Sequence, residues 1–579
     1  MRGGSTRGGS IRGGALLSSA ARGVASLRGA VVGGAVRGGK MPGRSIRTGA
    51  TRSRVAVPVL TGLALGLGLA SCGGAPPAPR EYPRLEDESV EPAPESIARE
   101  PLRDAPLVVA QPSSDPVVTF RVAFEAGSAS DPAGYEGVTR LAAELMAGGG
   151  AGALSYAELS RALYPMAGRI SAHVERDMTV FVGQVHRDHA DAFYALFRDV
   201  LLQPRMSEED FGRVRDQQRD ALVVSLRSAD DEELGKQALQ TLMYEGHPYA
   251  HPALGTEAAL ARVRVDDVRA QRARVFCAGR SIVGIAGDYP APLAERLRSD
   301  ISQLTSAQCV GRRVLPAPPD VERRRVLIVR KPEAQSVAVS MGFPIDVQRD
   351  DPDYPALVLV AAWLGQHRQF IGRLMQQIRG ERGLNYGDYA YAEHFTQEGW
   401  STFPLPNVAR RQQHFSIWLR PLRPETAHFA IRLAIRELTQ LVEGGMDQEE
   451  LDRVRAFADR YYALFLQTSS RRLGFAMDDA YYGVDAAYLE RLRQAWRALT
   501  PETLNAAIRR HLSPERLQIA CVASDAEQLA QALATDAESP ITYRSEVSAA
   551  VLAEDRDIVA YPLQIPRDRI RIQPVDTLF

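Results

Sequence analysis

GVTRLAAELMAGGG, residues 137–150, is a glycine, a short amphipathic helix and a cluster of three glycines, and it contains no histidine. Upstream, VVTFRVAFEAG (117–127) reads as a strand, and downstream TVFVGQV (179–185) reads as another with alternating apolar positions. HADAFYALFRDVLL (189–202) and SEEDFGRVRDQQRDALVVSL (207–226) have the period of amphipathic helices. Strands interleaved with long helices predict an α+β fold, each domain a sheet with helices packed on one face.

The layout occurs twice. Val122, Ala123 and Gly127 match Val337, Ala338 and Gly342 at an offset of 215 residues. VDDVRAQRARVFCAGRSIVGIA (265–286) matches PETLNAAIRRHLSPERLQIACV (501–522) at an offset of 236, which sets Val268 on Leu504, Phe276 on Leu512, Arg280 on Arg516 and Val283 on Ile519. Each copy is a helix, a loop with arginine and a buried strand. Two homologous domains are therefore expected, 106–305 and 322–535, joined by a linker at 306–321. The tail, 536–579, reads as extended and proline-punctuated, lying across both domains because it cannot form a core alone.

At 579 residues the chain is too long for one ordinary core. Its zero net charge conceals an asymmetry: residues 1–54 carry eleven Arg or Lys and no Asp or Glu, leaving 59 basic against 70 acidic residues in the remainder. That acidic remainder argues against nucleic acid as a partner. Arg44, Arg47, Arg52 and Arg54 precede VAVPVLTGLALGLGLASC, which suits a signal-peptide core better than a membrane span. Leu69, Ala70, Ser71 and Cys72 resemble a bacterial lipobox, in which Cys72 becomes the lipidated first residue of the mature protein. Residues 1–72 are thus a low-complexity start plus signal peptide, with Met41 an alternative start to Met1. Gly73, where an aspartate often signals retention in the inner membrane, leans the expectation towards a lipid-anchored protein of the outer membrane facing the periplasm. Residues 73–105, proline-rich and acidic, read as a tether, and the folded part is expected to begin near Leu107. Of the later cysteines, Cys277, Cys309 and Cys521, one pair could bridge in an oxidising compartment, and the sequence does not choose which.

Four stretches together resemble the M16 metallopeptidases, the pitrilysin and insulinase family: AGSASDPAGYEGVTRLAAELMAGG (126–149), GHPYAHPALGT (246–256), RSIVGIAGD (280–288) and IRGERGLNYGDYAYAE (378–393). The resemblance implies two M16-type domains and, in active members, an HxxEH helix whose histidines bind zinc while the glutamate activates water, with a further glutamate downstream. Zinc chemistry requires three protein ligands, an open position and a base. Here the motif positions hold Arg140, Ala143 and Glu144; a register one residue later places Leu141 and Leu145 at the ligand positions and keeps Glu144. Neither register has a histidine, and Asp216 and Asp220 are the only acids near the distal position. His186 with His189, and His247 with His251, read as solvated and turn residues rather than displaced ligands. The resemblance therefore implies a homologue without zinc of its own.

In the family an arginine and a tyrosine seven residues apart in the second half hydrogen-bond the substrate carbonyl and the developing oxyanion. Arg379 and Tyr386 stand at that spacing, and a guanidinium and a phenol are suitable donors for charge that appears in the transition state. Glu393 and His394 read as ordinary strand residues. The inventory matches the companion chain of a split enzyme: inactive alone, lending Arg379 and Tyr386 to an HxxEH-bearing M16 partner that binds the zinc and acts on a peptide or protein. The alternative is a non-catalytic peptide-binding or scaffold protein of the cell envelope.

Overall fold

The structure is a computed structural model that describes residues 97–399, 401–485 and 487–579. The expected signal peptide, Cys72 and most of the expected tether lie outside the described residues. The first sheet contains β1 (Leu107–Pro112), β2 (Val117–Phe124), β3 (Arg169–Val174), β4 (Thr179–His186) and β5 (Ser281–Gly287), in the order β1-β5-β2-β4-β3. The second contains β6 (Arg325–Arg330), β7 (Val337–Ile345), β8 (Asp388–Tyr391), β9 (Gln413–Leu422), β10 (Gln518–Ala523) and β11 (Ile570–Pro574), in the order β11-β6-β10-β7-β9-β8. With β11 removed the two orders are the same, and in each copy one parallel pair sits beside antiparallel neighbours.

The repeat holds at the 236-residue offset: helix Val265–Val275 and strand β5 correspond to helix Pro501–His511 and β10. The 215-residue match is a slip. Val122 pairs with Val283, and the equivalent Ile519 pairs with Met341, so Met341 rather than Val337 occupies the place of Val122. Because the slip is four residues, an even number, it keeps the same side chains on the same face and gives no warning in an apolar strand.

Five helices bear on the site: α1 (Val138–Ala147), α2 (Glu208–Asp220), α3 (Asp231–Met243), α4 (Ser469–Tyr482) and α5 (Ala549–Val559). In the first domain α1 and its neighbours cover one face of the sheet, around Phe120, Phe124, Phe181, Phe193, Phe197 and Phe276. Each such buried ring contributes roughly 1.5–3 kcal/mol by leaving water. The other face is covered by α4 from the second domain, through Leu473, Met477 and Tyr481. Reciprocally, α3 of the first domain covers the outer face of the second sheet, with Leu234, Ala238 and Leu239 against Leu327, Val329, Ala338, Ala520 and Val522. Each domain thus lends one helix to the other, which is why β2 and β5 are buried on both faces. Gly284 on β5 makes this approach close: a Cβ there would lie 2.5 Å from Met477 Sδ and 2.9 Å from Leu473 Cδ1.

The first described residues are already part of the body. Val314 N donates to Ala98 O at 2.8 Å, Glu100 N to Arg312 O at 2.8 Å, and Arg103 Nη1 to Glu125 Oε1 at 2.5 Å. The docked chain therefore begins some residues before Leu107, paired with the 306–321 linker, which is itself stapled to the first domain by a Cys277–Cys309 disulfide. Cys521 is a buried free thiol on β10.

The tail does lie across both domains, but it is not wholly extended. It forms α5, packed on helix Pro424–Gly444, then adds β11 beside β6. At its end Leu578 joins the cluster containing Leu222, Leu226 and Tyr249, and Arg227 Nη2 donates to Phe579 O at 2.7 Å. Among the described residues no helix is long and apolar enough to cross a membrane.

Candidate functional site

The opening stretch folds as expected, and its burial selects the register. Leu141 and Leu145 are fully buried in the first core, as is Ala143, whereas Arg140 and Glu144 are partly exposed. Arg140 Nη2 lies 3.3 Å from Glu144 Oε1, one helical turn on. The ligand positions are thus Arg140 and Glu144, with Ala143 where the base would stand. A permanently charged guanidinium cannot ligate zinc, an alanine cannot take a proton, and among the described residues no imidazole completes a metal-ligand group with them. The donor set does not fit the metal.

The distal acids fit no better. Asp216 is exposed and pairs with its neighbour Arg215 at 3.0 Å, and Asp220 is exposed. The polar side chain that α2 turns inward, beside Phe211 and Val214, is Gln218, 4% exposed, whose amide donates to Gly137 O at 3.0 Å and Leu254 O at 2.9 Å. The amide ties α2 to the turn that opens α1, a role that an amphipathic pattern does not reveal. Gly137 itself has φ +97°, and a Cβ there would meet Gly255 Cα at 2.8 Å, so two of the motif stretches meet backbone to backbone.

The other histidine pairs are structural. His186 Nδ1 faces Asp188 at 3.2 Å rather than His189. His247 Nε2 bonds Pro316 O at 3.1 Å and His251 Nδ1 bonds Pro252 O at 3.1 Å, and burial lowers each ring to about 4, so both are neutral at pH 7.

Between the domains lies a cavity of about 520 Å³, lined by Arg140, Glu175, Lys236, Tyr389, His394 and Trp418 among others. Its floor is ionic. Glu175 receives Arg410 Nη2 at 3.1 Å and His394 Nε2 at 3.1 Å, with His173 Nε2 at 3.2 Å from its other oxygen. Lys236 Nζ sits 4.0 Å above the Trp418 ring and 3.2 Å from Glu232. Glu393 and His394 are corrected here: they lie past the end of β8, Glu393 grips Arg349 with two bonds of 3.0 Å, and His394 bridges the domains. Neither role shows in the local sequence, because the partner of Glu393 lies 44 residues away and that of His394 in the other domain.

Arg379 and Tyr386 are brought together, but away from Arg140 and Glu144. Arg379 closes the short helix Met375–Gly380, and Tyr386 lies just before β8. The guanidinium carbon is 4.5 Å from the Phe370 ring centre and 5.5 Å from that of Tyr386, and Tyr386 is 79% exposed. Neither residue lines the cavity that Arg140 lines. Among the described residues no carboxylate lies within ion-pair distance of Arg379; burial raises the carboxyl of nearby Asp388 well above the ordinary range, and the Asn385 amide and the Arg379 charge only partly oppose that rise.

Two duplicated sheets with exchanged helices and an HxxEH helix stripped of its ligands define a metallopeptidase-like body. Residues 107–257 match the model of the insulinase family, peptidase family M16, and residues 262–457, which run from the last helix and strand of the first domain into the second, match the peptidase M16 inactive domain. Together these span more than half the chain, which belongs to the M16 family. It is 22% identical over 412 residues to a non-peptidase homolog, YmxG, of Helicobacter pylori, covering 71% of this chain and 89% of that one. It is 21% identical over 260 residues to an uncharacterized zinc protease, YmxG, of Bacillus subtilis, covering 45% and 61%. In fold it resembles the crystal structure of a peptidase M16 inactive domain from Pseudomonas fluorescens, with TM-score 0.63, 20% identity, and coverage of 78% of this chain and 99% of that one.

Proposed function

We propose that this chain is the non-catalytic companion of a zinc-bearing M16 peptidase, lending Arg379 and Tyr386 to the partner's active site. The observation that carries the reading is the placement of that pair: a half-buried guanidinium that forms no ion pair among the described residues and a largely exposed phenol, side by side and outside their own chain's cavity. Donors meant for an intramolecular site would face Arg140 and Glu144. Donors meant for a second chain belong on the surface, where a partner's substrate carbonyl can reach them. The ligand-poor helix supports inactivity of the chain alone, and the name of the Helicobacter relative agrees with it. The partner supplies zinc to polarise the carbonyl and activate water; Arg379 and Tyr386 orient the carbonyl and donate to its oxygen as negative charge develops. Mixing the chain with an HxxEH-bearing M16 chain and comparing wild type with Tyr386→Phe tests the assignment.

The lipobox-like run ending at Cys72 supports attachment to a membrane of the cell envelope, and the Cys277–Cys309 bridge supports an oxidising compartment. The interdomain cavity favours a second reading, a scaffold that holds a peptide without cutting it. In that case Arg379 and Tyr386 would have no effect on any partner's turnover.

A further inference from the structure

The turn that carries Arg379 and Tyr386 is held by the tail. Arg382, between them in sequence, points inward, and its side chain is fully buried. Its Nε donates to Asp555 Oδ1 at 2.9 Å, its Nη2 to Glu554 Oε2 at 2.7 Å, and its Nη1 to Gln377 Oε1 at 2.7 Å. Both carboxylates belong to α5, outside the stretches that match the family models. They are themselves fixed: Arg436 Nη1 reaches the other oxygen of Glu554 at 2.9 Å, and the Tyr543 hydroxyl donates to Asp555 Oδ2 at 2.5 Å. Burial opposes the charge on Glu554, but the bonds from Arg382 and Arg436 outweigh it and hold the carboxyl below its ordinary value. Within the turn, Gly383 N donates to Arg379 O at 2.9 Å and Leu384 N to Ile378 O at 3.1 Å.

We propose that Glu554 and Asp555 are positioning residues for the Arg379–Tyr386 pair, acting through Arg382. A buried arginine between two carboxylates is a costly way to fill space, and apolar side chains of like volume would serve stability as well or better. What the planar fork adds is direction: three donors aimed at three fixed acceptors leave the turn one orientation, and with it the guanidinium and phenol on either side. The consequence for turnover rests on the reading of Arg379 and Tyr386 proposed above; the positioning itself does not.

The test uses the mature chain carrying Glu554→Gln and Asp555→Asn, which keep shape and remove charge, with Glu546→Gln on the same tail as control. Hydrogen exchange followed by mass spectrometry is read on peptides covering 376–388, with and without the zinc-bearing partner. The expected result is exchange about ten-fold faster in those peptides, with β7 and β10 unchanged. If the double variant fails to fold, Glu554→Gln alone and Tyr543→Phe, which only loosen the carboxylates, are read in the same way. Unchanged exchange at 376–388 in a folded variant overturns the proposal, as does loosening spread evenly over the whole domain. In the reconstituted pair the variant should lower kcat with KM and assembly intact. Faster exchange with unchanged kcat would leave the positioning standing and contradict the donor role of Arg379 and Tyr386 instead.

Discussion

Asp177→Asn should loosen the seam between the two domains. Asp177 ends the β3–β4 turn of the first domain, is 2% exposed, and accepts from Arg411 Nη2 at 2.9 Å, from Arg411 Nε at 3.2 Å and from Arg411 N at 2.9 Å, with the Tyr249 hydroxyl as a further donor. Burial alone would raise its carboxyl; Arg411 and the hydrogen bonds outweigh burial and bring it down to about 2. Against an ordinary aspartate near 3.9 the lowering corresponds to roughly 2–3 kcal/mol of folding free energy. The folded value is the lower one, so this stabilisation is complete above about pH 4 and is lost as pH falls through about 2. In the variant Arg411 keeps Glu100 at 3.1 Å and the Arg313 carbonyl at 2.6 Å, so the loss should stay at the lower end of what breaking a buried pair costs, about 3 kcal/mol. Urea unfolding of wild type and variant at pH 7, 4 and 2.5 measures it, with the exposed Asp216→Asn as control. A variant within about 0.5 kcal/mol of wild type at pH 7 would refute the reasoning, and so would a deficit that fails to shrink between pH 4 and 2.5.

Cys309→Ser opens a bridge that spans 32 residues and should cost about 3–4 kcal/mol in thermal unfolding, as reductant should in the wild type; no shift with either would show that the bridge does not staple the linker. The purified mature protein should hold less than stoichiometric zinc, because Arg140, Ala143 and Glu144 supply no ligand set, and one tightly bound zinc per chain by metal analysis would contradict that. Cys72→Ala should move the protein from the membrane to the soluble fraction on cell fractionation, and unchanged membrane association would point to another anchor.

The class of fold was legible because the apolar periods of 117–127, 179–185 and 189–202 are local properties of strand and helix. The repeat was legible in its longer match and misplaced in its shorter one, since three matched residues in an apolar strand tolerate a shift of four without exposing anything. The helix exchange was not legible. The apolar faces of α3 and α4 show that each is buried, but nothing local says that the receiving sheet belongs to the other domain. The absence of zinc ligands was plain from residue types, yet choosing Arg140 and Glu144 over Leu141 and Leu145 as the outward pair needed the core. Gln218, Asp177, Glu393 and His394 were missed for one reason: a polar residue bonded across tens or hundreds of residues looks, in sequence, like a solvated one. The tail helix was hidden by flanking prolines and by its dependence on Arg382 and Arg436 for partners.

If Arg379 and Tyr386 act on a second chain's substrate, Tyr386→Phe should show it, because it removes one hydroxyl from a residue that is 79% exposed and buries nothing new. Wild-type and variant chains are each combined with an HxxEH-bearing M16 chain, and peptide hydrolysis is compared at equal concentrations of complex. Loss of an oxyanion donor should lower turnover by roughly 10²-fold to 10³-fold while binding between the chains is unchanged. Equal turnover in the two complexes would contradict that role, leaving the chain a scaffold whose Arg379 and Tyr386 do no chemistry.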